Sequence, residues 1–180
     1  VKKIVYSSSG AGYGQPKKVC TKEDDPTEPI NPYGASKLAF EHALSAYYHS
    51  FGIEGIALRY FNVYGPMDEQ QDSTRAVSRW IKAILDKEPL VLYWAGSQTR
   101  DYVYVEDVAR ANLMAAEKGR GFRVYNVGSG NGIVMKSIVT RLENIFNKKI
   151  PKKDLGERPG DPKAVVADIT RIQEDLGWKP

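Results

Sequence analysis

Asn31-Pro32-Tyr33-Gly34-Ala35-Ser36-Lys37 is the stretch that decides how the rest of the chain is read. Pro suits a first helical position, and Asn before it can cap a free backbone N–H. Apolar residues then recur at helical spacing through Leu38, Phe40, Ala43, Leu44 and Tyr47, so a helix is expected from here to about Ser50, ended by Gly52. Tyr33 and Lys37 stand four apart and leave that helix on one face. A cation about 4 Å from a phenol is worth up to about 4 kcal/mol at an effective dielectric near 20. That is enough to bring a phenol into proton exchange with a hydroxyl near neutral pH. The same spacing recurs at Tyr13 and Lys17, but Gly14 and Pro16 lie between them and forbid a regular helix.

Outward from this helix the elements alternate. Val1 to Ser7 reads as a short apolar strand, followed by the small, Gly-rich Ser7-Ser8-Ser9-Gly10-Ala11-Gly12-Tyr13-Gly14. A polar loop with Pro16, Pro26 and Pro29, which includes Cys20, leads to the Tyr33 helix, and Glu54–Tyr60 reads as a second buried strand. Strand, long helix, strand implies a right-handed crossover and parallel pairing. Beyond Ser73 we expect a helix through Trp80 and Leu85, and short strands near Val91 and over Tyr102–Val105. A helix over Glu106–Lys118, a strand over Phe122–Val127, a helix over Val134–Phe146 and a last helix near Thr170–Leu176 follow. The class is α/β. Ligands of such sheets bind beyond the carboxyl ends of the strands, where Ser9, Asn62 and Tyr64 fall. Gly128-Ser129-Gly130-Asn131-Gly132 also joins a strand to a helix, but as G-x-G-x-G it reads as a tight turn and not as a dinucleotide loop.

Composition bounds the function. The 180 residues carry a net charge of +4 with the basic residues scattered, a weak argument for nucleic acid, which is not expected as a partner; phosphorylated small molecules suit scattered Arg equally well. A single Cys excludes an intrachain disulfide framework and suits a reducing, cytoplasmic setting. One Cys and two His argue against a structural zinc site, so no metal is expected. No apolar run is long enough for a membrane helix, and no signal peptide is expected.

Seven motifs in order resemble the extended short-chain dehydrogenase/reductase family, the nucleotide-sugar epimerases and dehydratases. They are Ser7-Ser8-Ser9 with Tyr13-Gly14; Asn31 to Lys37; Leu58-Arg59-Tyr60-Phe61-Asn62-Val63-Tyr64-Gly65-Pro66; Gln98 to Asp107; Tyr125 to Gly130; Arg158-Pro159-Gly160-Asp161; and Leu176-Gly177-Trp178. The resemblance implies the C-terminal part of a Rossmann-type doubly wound parallel sheet plus a small α/β substrate-binding domain. Residues 1–62 and roughly 103–130 would belong to the NAD-binding part, and roughly 63–102 and 131–180 to the nucleotide-sugar-binding part. It further implies a Gly-rich βαβ segment ahead of Val1 for the adenosine and pyrophosphate of NAD. A homodimer, or a complementing N-terminal chain, would follow.

The family mechanism, carried over by motif, makes Tyr33 the acid/base at the sugar 4-hydroxyl. Lys37 would hold the nicotinamide ribose and ease ionisation of the phenol, and Ser9 would bind the same sugar oxygen. Ser7 and Tyr60 join them beside the cofactor. Asn62, Arg100, Arg158 and Asp161 would contact the substrate diphosphate region, and Val165 would border the sugar. Bidentate guanidinium groups suit phosphate oxygens. Where the dehydratases carry an Asp-Glu pair this chain has Gly10 and Ala11, which cannot transfer protons, so 4-epimerisation of a UDP-sugar (glucose/galactose or an N-acetylated analogue) is favoured. A dehydratase, a 4-ketoreductase or a non-catalytic nucleotide-sugar-binding fragment are the alternatives. Trp94-Ala95, where the family commonly has Gly-Asp, and Met67, where Arg often stands, depart from the pattern.

Overall fold

The computed structural model describes residues 1–66 and 75–180, so Met67 lies outside the described residues. The order is β1 (Lys3–Ser9), a 3-10 turn (Gly10–Tyr13), β2 (Cys20–Thr21), α1 (Pro32–Phe51), β3 (Glu54–Tyr60), β4 (Asn62–Tyr64), α2 (Ala76–Leu85), β5 (Leu90–Leu92), a second 3-10 turn (Trp94–Gly96) and β6 (Thr99–Tyr104). Then come α3 (Val105–Lys118), β7 (Phe122–Val127), β8 (Gly132–Val134), α4 (Met135–Ile145), β9 (Lys152–Asp154), β10 (Ala164–Ala167) and α5 (Thr170–Leu176).

β1, β3 and β7 form a parallel sheet in that order, with Lys3 opposite Glu54 and Ser9 opposite Tyr60. The crossover from β1 to β3 is α1, which forms for local reasons. Asn31 accepts the Gly34 amide at 2.8 Å, Pro32 opens the first turn, and Gly52 ends the helix at φ 66, a left-handed conformation that costs a glycine nothing. β3 is buried almost throughout, as a parallel strand covered on both faces should be. Its Gly55 faces α1, where an added Cβ would stand 3.3 Å from Leu44. Ile56 and Leu58 face the opposite way and pack with Val108, Ala111 and Ala115 of α3 and with Ile172, Leu176 and Trp178. Helices on both faces make this a doubly wound α/β layer.

The second sheet runs β2-β10-β6-β4, all parallel, with β8 antiparallel on β6. β5 and β9 pair separately and are roofed by Trp80 and Ile84 of α2 and Met135, Val139 and Leu142 of α4.

Several expectations are corrected here. Cys20 lies in β2 and not in a loop, because β10 recruits it through the Val166 amide bond to the Val19 carbonyl. β6 begins at Thr99, three residues before the expected start, since Thr99 and Arg100 pair with β10 and β8. Gly132–Val134 is a strand, so the helix expected from Val134 starts at Met135. β4, β9 and β10 are short strands created by long-range pairing and were not expected. Among the described residues no helix is long and apolar enough to cross a membrane.

Candidate active site

Strand β1 delivers Ser9 at its carboxyl end. The Ser9 hydroxyl then caps the 3-10 turn by accepting the Ala11 amide at 3.2 Å. That turn lies directly against the start of α1, since a Cβ on Gly34 would fall 2.5 Å from the Ala11 carbonyl oxygen. Only glycine permits this approach, and the approach brings the Tyr33 end of α1 to the loop that follows Ser9. Tyr33 is 57% exposed. Lys37 lies on the same face, its ammonium 5.8 Å from the Tyr33 ring centroid and 5.2 Å from that of Tyr6, and it donates to the Ser7 carbonyl at 2.8 Å. The Tyr60 hydroxyl lies 3.1 Å from that of Ser7 and donates to Asn112 at 2.9 Å. Ser7, Ser9, Tyr33, Lys37 and Tyr60 thus gather at one end of the first sheet.

The second group sits on the second sheet. Asn62 Nδ2 donates to the Asp101 carbonyl at 2.9 Å. Arg100 forms an ion pair with Asp161 at 2.7 Å and lies in register with Val165, which is buried. The Arg158 guanidinium stacks 5.4 Å above the Tyr93 ring. The two groups meet through α1's own cap: Asn31 Nδ2 donates to the Gly160 carbonyl at 3.0 Å, which ties the start of the Tyr33 helix to the Arg158–Asp161 segment. That bond is the contact by which the Tyr33 end of α1 and the Arg158–Asp161 segment are held together. Two other surface clefts, one around Lys22, Arg123 and Arg171 and one around Val1, Tyr48 and Phe51, contain none of these residues.

The Gly128–Gly132 loop is a turn organised from within. The buried Asp101 carboxylate accepts the Ser129 amide at 2.6 Å, the Ser129 hydroxyl at 2.7 Å, and the Gly130 and Ala167 amides at 3.0 Å each. The N–H groups that could cradle a phosphate already hold a carboxylate. Asp101 was not singled out from the sequence. Nor were Glu41 and Arg59, which form a bidentate ion pair under the site with Ser8 donating to the same carboxylate. The signal for them was a charge inside each of two otherwise apolar faces, Arg59 in a buried strand and Glu41 one turn after Lys37. Burial raises the neighbouring Tyr13 hydroxyl to about 12, and it donates to Asn126 at 2.7 Å.

Comparison with known proteins shows a likeness over the whole chain. Residues 1–128 match the family described as the NAD dependent epimerase/dehydratase family. A UDP-glucose 4-epimerase of Azospirillum brasilense is 37% identical over 196 residues, covering 100% of this chain and 56% of that protein. Among solved structures, the UDP-glucose 4-epimerase of Thermotoga maritima with UDP-glucose superposes with a TM-score of 0.93 at 36% identity, covering 100% of this chain and 59% of that one. A UDP-glucuronic acid 4-epimerase of Bacillus cereus, with UDP-glucuronic acid and NAD, gives 0.90 at 35% identity, covering 99% and 56%. The chain thus spans under two thirds of the length of each relative. With the matched family covering the first sheet, α1 and the strand-end residues alike, the chain belongs to the NAD dependent epimerase/dehydratase family.

Proposed function

We propose that this chain carries the acid/base and substrate-binding side of an NAD-dependent UDP-sugar 4-epimerase. The observation that bears most weight is the packing of Gly34 on Ala11, which sets Tyr33 and Lys37 beside the Ser9 loop. In this reading the Tyr33 oxygen takes the proton of the sugar 4-hydroxyl and later gives it back. The Ser9 hydroxyl donates to the same sugar oxygen and fixes its direction. Arg100 and Arg158 receive the diphosphate, and Asn62 and Asp161 hold that wall in place. Val165, in register with Arg100, backs the wall on the sugar side.

NAD, when bound, supplies the hydride acceptor and donor at sugar C4. The polar groups where α1 meets the ends of β1 and β3 fit its nicotinamide ribose: an ammonium has three donors, and Lys37 uses one on the Ser7 carbonyl, while the adjacent Ser7 hydroxyl, whose proton goes to Tyr60, offers an acceptor. The pyrophosphate finds no such fit at the Gly128 loop, whose amides Asp101 occupies. Elimination chemistry is disfavoured because positions 10 and 11 are Gly and Ala, and a Cβ on Gly10 would meet the Phe61 ring at 3.2 Å. The cofactor side is read onto the β1-β3-β7 sheet and the sugar-nucleotide side onto the β2-β10-β6-β4 sheet, which refines the division at 62, 103 and 130.

The test is Tyr33→Phe made in this chain joined to the remaining segment of a longer relative, so that NAD can bind, and assayed for interconversion of UDP-glucose and UDP-galactose. Removing an acid/base group should lower kcat by about 100-fold or more, with UDP affinity unchanged within about twofold. A variant that keeps a tenth of the rate overturns the assignment.

A further inference from the structure

We propose that Glu41 and Arg59 act as a positioning pair: together they set how far along β1 the helix α1 sits, and so hold Tyr33 and Lys37 over Ser9. This rests on the acid/base reading above and adds two residues to it that touch no reacting atom.

Tyr33, Lys37 and Glu41 follow one another at four-residue steps along a single line of α1. The first is exposed at the site, while Glu41 is buried in the sheet at 4% exposure. There its Oε1 accepts Arg59 Nε at 3.0 Å and its Oε2 accepts Arg59 Nη2 at 2.7 Å, and the Ser8 hydroxyl donates to Oε1 as well. The guanidinium is held from its other sides. Its carbon lies 4.7 Å from the Tyr13 ring centroid, and Nη1 donates to the Glu23 carbonyl at 3.2 Å. In the β1–β3 register Ser8 stands opposite Arg59, one step from Ser9 opposite Tyr60 and one step from Ser7, whose carbonyl receives Lys37. The pair is therefore bolted to the two strands at the residues adjoining the functional ones.

Energetics favour a positional role over a stabilising one. Two charges withdrawn from water recover little net free energy, and apolar residues of similar volume often serve the fold as well or better. α1 already has apolar contact with the sheet through Leu44 against Gly55. Apolar contacts tolerate sliding, whereas a forked guanidinium–carboxylate contact fixes both distance and direction. Small displacements matter at a site of this kind: a shift of about 1 Å can cost about 100-fold in rate.

The experiment compares the full chain with the double variant Glu41→Met, Arg59→Leu, which removes both charges and keeps the volume. Three quantities are read: the urea midpoint, the side-chain 15N signal of Lys37 (assigned with Lys37→Arg) as a reporter of its bond to Ser7, and, with each sequence joined to the remaining segment of a longer relative so that NAD can bind, kcat and KM for UDP-glucose. The expected result is an unchanged or higher midpoint, loss of the protected Lys37 signal, and a fall in kcat of about 30-fold or more with KM within threefold. A double variant that keeps the Lys37 signal overturns the proposal, as does a kcat within threefold of the unaltered chain. Should the double variant fail to fold, Glu41→Gln, which keeps shape and loses charge, is read by the Lys37 signal and by kcat against KM, its midpoint being expected to fall because Arg59 stays buried without its counter-charge. Absence of turnover in the unaltered sequence so joined would count against the proposed reaction, and the Lys37 signal would still decide the pair's role.

Discussion

Ala95 is exposed and adopts φ 48, ψ 27, next to Trp94 at φ 47. Left-handed backbone costs an L-residue roughly 1–2 kcal/mol, offset here by the bond from the Ala95 amide to Asp154 at 3.1 Å and by the turn's backbone bonds from Trp94 to Gly156, Gly96 to Tyr93 and Ser97 to Trp94. Ala95→Gly keeps those bonds and relieves the strain, so a gain of about 0.5–1 kcal/mol is expected once the greater freedom of glycine when unfolded is subtracted. Chemical denaturation midpoints of the two proteins check this. At the same scale, Tyr33, Lys37 and Ser9 were legible because each sits in a motif of a few consecutive residues. Asp101, Glu41 and Arg59 were not: Asp101 bonds across 28 and 66 residues, and Glu41 reaches Arg59 across 18. A partner so distant leaves no trace in local spacing, although an arginine in a buried strand was itself a signal.

Helix α4 shows how a charge can tie an element to the segment after it. Glu143, buried near the end of α4, accepts Lys152 Nζ at 2.7 Å and the Ile150 amide at 3.1 Å, and pairs with Lys149 at 3.4 Å. The Lys152 ammonium first, then the Ile150 amide, hold its carboxyl down to about 2 from an ordinary 4.5. A depressed acid stabilises the fold above its unfolded value and loses that contribution as pH falls toward the folded one. Glu143→Gln should therefore be less stable than the parent at pH 7. The gap in urea midpoints should narrow steadily between about pH 4.5 and pH 2; a gap independent of pH would contradict the assignment. Helix α1 was readable from its Asn31 cap, Pro32 and apolar periodicity, and α3 and α5 without a side-chain N-cap, because such signals are local. β4, β8, β9 and β10, each of three or four residues, owe their existence to pairing with distant strands, and no stretch that short declares itself.

At the scale of the whole molecule, the proposed function divides the ligand between the two sheets. Sugar-nucleotide groups are assigned to β4, β6 and β10. On that reading the cofactor's ribose end falls to Lys37, while the Gly128 loop spends its amides on Asp101 and offers none to a pyrophosphate. The chain alone should accordingly bind UDP-glucose more tightly than NAD. Titration calorimetry reads this directly, and micromolar NAD affinity for the isolated chain would reverse the division. The α/β class and the parallel β1–β3 crossover followed from the alternation of elements. The existence of a second sheet did not, because its strands are scattered from Cys20 to Ala167.

The bond from Asn31 to the Gly160 carbonyl joins positions 129 apart. A ligand that engages Tyr33 on one bank and Arg158 on the other would behave as a removable cross-link across that span. Its occupancy would slow digestion by a broad-specificity protease at every peptide bond whose exposure requires the banks to separate, and so register as a change in lifetime even where no reaction takes place.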